Sequence, residues 1–425
     1  MMDRPSFGEL FRTFLRIGLL SFGGPAGQIA LMHRVLVEEK RWLDEPLYLR
    51  GLNFCMLLPG PEAMQLATYA GWRLHGVKGG LAAGLLFVLP GAVVVLALAA
   101  LYATFGKLPL VEALFLGVKA AVLAIVIEAL LRVARRALKG PADWAIAVCA
   151  FLALFVLGLP FPLVIAAAAL VGFVTPQPVP ASAASHSPGS SLRSTAGTVL
   201  LWLAIWLSPL AALALLLGPD HVLVVAGVFF SKLAVVTFGG AYAVLAYMAQ
   251  QAVEVHGWLD AREMVDGLGL AETTPGPLIL VTEFVGYLAG HRAIGGFWGG
   301  LAGALVTLWM TFAPCFLWIF AAAPYVEGLS ALPRLSGALT AITAAVVGVI
   351  ANLTLWFALH VLFGSVGSLP VGLSGMPWPV WSTIDRAALA LLAAAAFVLF
   401  RLRAGIPLTL AFSAVLGVAW RYFVV

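Results

Sequence analysis

The chain has 425 residues, of which 62% are hydrophobic and only 10% are charged. That balance excludes an ordinary soluble globule and predicts an all-α polytopic membrane protein. The formal net charge of +5 does not indicate nucleic acid, because the basic residues sit scattered at the ends of apolar runs and form no basic face.

Taking roughly 17 to 25 residues per span, apolar segments are predicted near 10–32, 50–74, 79–105, 111–131, 142–158 and 160–175. Arg12 and Arg16 interrupt the first, which is read as part of the fold and not as a cleavable signal. Residues 176–197, rich in Pro, Ser and Ala, have the composition of a flexible linker. Segments resume near 198–217, 222–250, 265–290, 293–323, 336–362, 383–400 and 405–422, which makes about thirteen transmembrane segments. The chain thus divides into an N-terminal part, 8–175, the linker, and a C-terminal part, 198–425, with one extra leading segment.

The two parts echo each other. Ser21-Phe22-Gly23-Gly24 returns as Thr237-Phe238-Gly239-Gly240, Trp42-Leu43-Asp44 as Trp258-Leu259-Asp260, and Pro59-Gly60-Pro61 as Pro275-Gly276-Pro277. The first residues of these pairs, 21 and 237, 42 and 258, 59 and 275, all stand 216 apart, which indicates an internal duplication. An odd number of segments between the two starts predicts repeats of inverted topology, provided that the Pro-Gly-Pro segments cross fully. If either re-enters on its own side, the parity changes.

Basic residues give an independent orientation. An amino terminus inside the cell places Arg12, Arg16, Arg73, Lys78, Arg132, Arg135, Arg136 and Lys139 on the cytoplasmic side, with the carboxyl terminus outside. The loop from His33 to Arg50 fits this badly unless Glu38, Glu39, Asp44 and Glu45 pair with its bases or it folds back as a vestibule.

Pro lacks an amide hydrogen and Gly is free in backbone angle, so Pro-Gly-Pro in an apolar run breaks a helix. The second Pro suits the first turn of a new helix, whose amides then face the break as an anion site. Paired breaks of this kind mark substrate sites in transporters, and the alternative is a structural kink. The candidate substrate-binding residues are therefore Pro59, Gly60, Pro61, Glu62, Gln65, Thr273, Thr274, Pro275, Gly276 and Pro277, together with Gly23, Gly24, Gly239 and Gly240. The glycine pairs either shape a break or let helices pack closely. Lys232, deep in an apolar run, faces a polar cavity or snorkels; Arg16 is nearer an end and is read as snorkelling. Lys119 is a second counter-charge, for the substrate or for Glu112, Glu128 or another helix. Glu62, Glu272 and Glu283 favour a helix dipole or carry a proton. Asn53, Thr68 and Tyr69 are further hydrogen-bond donors to an anion or to neighbouring helices. Cys55, Cys149 and Cys315 stand singly, which supports neither a disulfide nor a metal site, and no cofactor is expected.

Through Ser21-Phe22-Gly23-Gly24-Pro25, Arg41-Trp42-Leu43 and Leu57 to Tyr69, with the second copy from Thr237 to Pro277, the sequence resembles the chromate transporter family in its long, two-domain form. The resemblance spans nearly the whole chain. It implies a multi-pass protein of the bacterial inner membrane that exports chromate and confers resistance, with sulfate as the related anion. Import or exchange of sulfate or another oxyanion on the same fold is the alternative. No His-Glu-x-x-His, Gly-x-Ser-x-Gly or paired-Asp motif suggests an enzyme. Proton coupling and a homo-oligomer stay open, although one chain already holds both repeats.

Overall fold

The computed structural model describes residues 5–22, 24–175, 192–238, 241–325, 333–371 and 375–423. It is an almost wholly helical protein, in agreement with an all-α membrane chain. Among the described residues, six helices or helical runs are long and apolar enough to cross a bilayer: Glu62–Phe105, Pro109–Ala137, Arg193–Leu217, Leu278–Tyr325, Pro333–Leu362 and Ile406–Phe423. The chain forms two compact units, and each draws on both halves of the sequence. The first comprises Met1–Ala100, Gln177–Ala241 and Thr274–Ser336; the second comprises Leu101–Pro176, Tyr242–Thr273 and Gly337–Val425.

In the first unit, helix α1 (Phe7–Leu20) opens with a capping box between Ser6 and Glu9. It stops at Ser21, and Gly24, at φ 70°, starts α2 (Gly24–His33), which a π-helical turn, Arg34–Glu39, prolongs. Helix α3 (Glu45–Leu57) is capped by Asp44, whose carboxylate accepts from the Leu47 amide at 2.7 Å. After Pro59-Gly60-Pro61 comes α4 (Glu62–Phe105), which breaks at His75 and at Gly76, where φ is 61° and ψ −151°. The apolar segments expected at 10–32 and 50–74 are thus each two helices separated by a break. The cause is local: glycine at positive φ and proline without an amide both end the hydrogen-bond ladder.

These pieces double back. Gly51 of α3 lies against the ring of Tyr69, and Phe54 packs on the same ring with centroids 5.9 Å apart, so α3 and the first limb of α4 run antiparallel from Pro59-Gly60-Pro61. Across the break at Gly76 the limbs are antiparallel again: Gly71 abuts the Gly79 carbonyl, and Gly84 abuts the Thr68 hydroxyl. Only residues without a side chain allow this approach. The Pro5 carbonyl, at the start of α1, accepts from the His75 ring Nε2 at 2.7 Å, so α1 starts where the first limb of α4 ends.

Helix α8 (Leu192–Leu217) begins inside the stretch expected to be linker through residue 197, because no proline stops the helix between Leu192 and Pro209. Residues 176–191 of that stretch lie outside the described residues. Helix α9 (Val222–Val236) follows and ends before the second Gly-Gly pair. After Pro275-Gly276-Pro277 a short 3₁₀ turn, Leu278–Leu280, leads into α12 (Val281–Gly290), and α13 (Gly296–Ala322) folds back on it. Gly286 meets the Gly303 carbonyl and Gly290 the Gly299 carbonyl, the same small-residue contact as between the limbs of α4. Phe320 and Phe316 of α13 lie on Gly80 and Gly84 of α4; Phe316 stacks on Trp202 of α8, and Phe320 meets the same ring at a tilt.

The second unit holds α5 (Pro109–Ala137), α6 (Pro141–Phe155), α7 (Phe161–Val174), α10 (Ala241–Gln250), α11 (Ala261–Thr273), α14 (Pro333–Leu362), α15 (Arg386–Ala396) and α16 (Ile406–Phe423). Close glycine contacts again set the packing: Gly117 against the Ser413 carbonyl, Gly172 against Gly337, and Gly348 against Ala147. A short antiparallel hairpin, β1 (Val366–Leu369) with β2 (Met376–Pro379), follows α14.

Candidate functional site

The break motifs of the two sequence halves meet inside the first unit. Gly60 donates its amide to the Thr237 carbonyl at 2.8 Å, and Gly276 donates its amide to the Ser21 carbonyl at 2.9 Å. Both donors and both acceptors are related by the 216-residue offset, so the two bonds are one contact made twice. Each Pro-Gly-Pro of one copy is tied to the end of the Ser/Thr-Phe-Gly-Gly helix of the other. The conformations match as well, with Gly60 at φ 119° and Gly276 at φ 91°, where other residues are strained.

Side chains pin this junction. Gln65 donates Nε2 to the Pro59 carbonyl at 2.6 Å, and Gln28 donates Nε2 to the Gly276 carbonyl at 2.6 Å. Both glutamines are buried, and the Oε1 of each has no hydrogen-bond partner among the described residues. Gly91 of α4 lies on the Pro275 carbonyl, and Cys315 Sγ stands 3.0 Å from where a Cβ on Gly60 would be. Ser21 and Thr237 turn their hydroxyls back to the Ile17 and Leu233 carbonyls, each at 2.6 Å, which satisfies the last turns of α1 and α9.

The amides expected to face an anion are those of the helix that starts at the second Pro, not those of Gly60 and Gly276. Their N–H groups are used by the crossed carbonyls. What faces the break is the first turn of α4 from Glu62, whose amides have no preceding helical turn to bond. In the second copy the 3₁₀ turn after Pro277 takes that place. Pro61, Pro275 and Pro277 are buried, Pro59 and Glu62 half-buried. Thr274 is buried in the first unit. Thr273, in the second, is exposed and spends its hydroxyl on the Leu270 carbonyl at 2.8 Å. Gly24 sits at the break between α1 and α2; Gly23, Gly239 and Gly240 lie outside the described residues.

Lys232 is exposed on α9, one and a half turns before Thr237, and makes no ion pair among the described residues. Arg16, its counterpart at the same offset, reaches Glu39 at 3.9 Å. Asn53 is exposed, and Thr68 bonds back to the Met64 carbonyl at 3.0 Å.

The second unit has its own polar cluster. Lys119 pairs with Asp266 at 3.1 Å, and the Tyr102 hydroxyl donates to the other carboxylate oxygen at 2.7 Å. Asp266 is 4% exposed. One turn and a half further, buried Glu272 accepts from the Tyr242 hydroxyl at 2.7 Å. A separate cavity of about 350 Å³ lies between α6, α10 and α14 under the hairpin, with Glu254, His360 and Trp356 in its wall. The two Trp-Leu-Asp copies have a structural use: Asp44 caps α3, and Asp260 accepts the Glu263 amide at 2.8 Å where α11 begins. Next to that cap, His256 stacks on Trp258 with centroids 4.3 Å apart, and burial lowers its imidazole pKa.

Sequence reasoning missed Gln28 and Asp266. Each is a lone polar residue beside a repeated motif in an apolar stretch, and that was the available signal. Tyr102 carries no such signal, since tyrosine is ordinary near the end of a span.

A family model described as chromate transporter matches residues 8–173 and 224–418. A chromate transport protein of Pseudomonas aeruginosa is 34% identical over 87% of this chain and 85% of its own length. A chromate transport protein of Cupriavidus metallidurans is 31% identical over 80% of each chain. An uncharacterized transporter of Methanocaldococcus jannaschii is 27% identical over 84% of this chain and 86% of its own. No solved structure matches the chain.

Proposed function

The chain belongs to the chromate transporter family, and from that membership we propose that it moves chromate, a tetrahedral dianion, out of the cytoplasm across the bacterial inner membrane. The observation that carries this reading is the crossed pair of hydrogen bonds, Gly60 to Thr237 and Gly276 to Ser21. It makes the two breaks a single junction built of two equivalent halves, the arrangement expected where inverted repeats enclose a midplane substrate site.

On this reading α1, α2, α3 and the first limb of α4 are half-spans that enter from the amino-terminal face and return to it. Helices α9 and α12 enter from the opposite face. The inversion then does not depend on Pro-Gly-Pro crossing fully; both breaks are the tips of re-entrant hairpins. Lys40, Arg41 and Arg50 join Arg73 and Lys78 on the amino-terminal face, and the loop that spoiled the charge bias no longer does so. That face is cytoplasmic. The Glu39 contact with Arg16 is consistent with this, because α2 must fold back beside α1 for them to meet.

The positive ends of the helices that start at the breaks face the anion, and the exposed Arg16 and Lys232 draw it in from the two sides. At roughly 100 mV, inside negative, each negative charge that leaves gains about 2.3 kcal/mol, so a dianion leaves with about 4.6 kcal/mol. Potential alone thus favours export.

The test is chromate movement into inside-out vesicles bearing the protein, with the potential set by an ionophore and sulfate as competitor. Potential-dependent accumulation that sulfate suppresses is the expected result. Accumulation only when the potential is reversed would instead make the protein an importer, and no movement under any gradient would remove chromate as the substrate.

A further inference from the structure

One carboxyl group in the first unit has no counterpart in the other repeat and, among the described residues, no partner. Glu283 lies in the first turn of α12, six residues beyond Pro277, and is 1% exposed. It makes no hydrogen bond or ion pair among the described residues, and its Oε2 is buried without a donor. The position 216 residues earlier is Ala67, so the duplication supplies one such group, not two.

Its surroundings hold little that could compensate a charge. Helix α12 packs on α13, on α9, on the 3₁₀ turn before it and on the π-helical turn His291–Gly295 after it. Their ionisable groups are Cys315 on α13, Lys232 on α9, and His291 with Arg292 at the far end of α12; Tyr287 lies on α12 itself, against Gly300. Lys232 is exposed, and Tyr287, one turn beyond Glu283, is stacked on His291 a further turn along. The hydroxyl of the adjacent Thr282 lies 3.5 Å from that of Thr311, whose carbonyl accepts from Cys315 Sγ, the atom seated against Gly60. The start of α12 is thereby wired to the first Pro-Gly-Pro break as well as being covalently continuous with the second. An unpaired carboxylate is among the costliest groups to bury in a membrane protein, and side chains kept there despite the cost serve ion or proton movement.

We propose that Glu283 is the proton-exchange site of this transporter, taking up and releasing one proton as the junction of the breaks opens and closes around the anion. This rests on the transport reading above and adds its coupling. In the proposed cycle the group carries its proton while it stays enclosed without a counter-charge. Opening of α12 toward water, or arrival of the dianion, changes the field at its oxygen and releases or rebinds the proton.

The experiment uses the full chain in proteoliposomes, with chromate flux followed first under a potential at equal pH and then under a pH gradient with the potential clamped to zero. The wild type is expected to respond to both. Glu283→Gln, a neutral group of the same shape, is expected to keep the potential-driven flux and lose the response to the pH gradient, together with any chromate-evoked pH change inside the vesicle. A Gln variant with the wild-type response to the pH gradient overturns the proposal, as does a wild type that moves chromate but ignores the gradient. Should the Gln variant not insert, Glu283→Asp is the arbiter: a response with a displaced pH midpoint is expected, and an unchanged midpoint overturns the assignment. A wild type that moves no chromate under either gradient overturns the transport reading itself.

Discussion

The residues that matter most in this chain are polar groups that the apolar surroundings force into partnership. Gln28 holds the Gly276 and Ser21 carbonyls and Gln65 the Pro59 carbonyl, Asp44 and Asp260 start the helices that lead to the breaks, and Lys119, Asp266 and Tyr102 close on one another in the second unit. The last cluster yields a prediction. Removing one member of a buried ion pair leaves the other uncompensated and costs about 3 to 5 kcal/mol, whereas removing both is far milder. Lys119→Met and Asp266→Asn are each expected to lower the unfolding temperature of the detergent-purified protein sharply, and the double variant is expected to recover most of the loss. Additive losses would show that the two side chains are not coupled. The sequence pointed to Lys119 as a counter-charge, but its partner could not be read there, since Asp266 is distant in the chain and only packing brings α11 to α5.

Among elements, the broken helices are decided by backbone freedom and by the absence of side chains. Pro-Gly-Pro stops a helix for reasons visible in any window of sequence, and Gly24 and Gly76 do the same through positive φ. Whether the chain runs on or turns back after a break is not local. It depends on whether the two helices find small residues at which to touch, as Gly71 finds Gly79 and Gly286 finds Gly303. Gly91 is such a position, because a Cβ there would run into the Pro275 carbonyl, a backbone atom that cannot swing aside. Gly91→Ala is therefore expected to abolish chromate flux in vesicles or to prevent stable insertion. Gly8→Ala, at a site with nothing within 4 Å, is expected to leave both intact. Equal flux in the two variants would mean that the second break does not lie against α4.

For the whole molecule, the proposed arrangement makes a prediction about sidedness. With the exposed thiol removed by Cys149→Ser, and Cys55 and Cys315 buried, single cysteines report accessibility cleanly. Lys40→Cys and Lys78→Cys are expected to react with an impermeant maleimide from one side of the membrane, and Arg292→Cys from the other. Were α1 with α2 and α3 with α4 to form continuous spans, as the hydropathy of 10–32 and 50–74 suggests, Lys40 and Lys78 would label from opposite sides. The measurement therefore separates two topologies that share every apolar segment.

The amino-acid sequence alone determined that the chain lives in a membrane, that it is helical, that it is duplicated at a spacing of 216, and that its helices break at Pro-Gly-Pro; the resemblance of those motifs to the chromate transporter family agrees with the family match over residues 8–173 and 224–418. Those properties follow from hydropathy, local backbone chemistry and repetition, each of which is written in short stretches of chain. Only the tertiary structure decided that the breaks of one copy are bonded to the helix ends of the other, that Gln28 belongs to the second break, that Lys119 has Asp266 as its partner, and that Glu283 has none among the described residues. The reason is that a hydrogen bond or a counter-ion is supplied by whichever element packs alongside, and in an interior with no water to substitute, that choice fixes the state of every buried polar group.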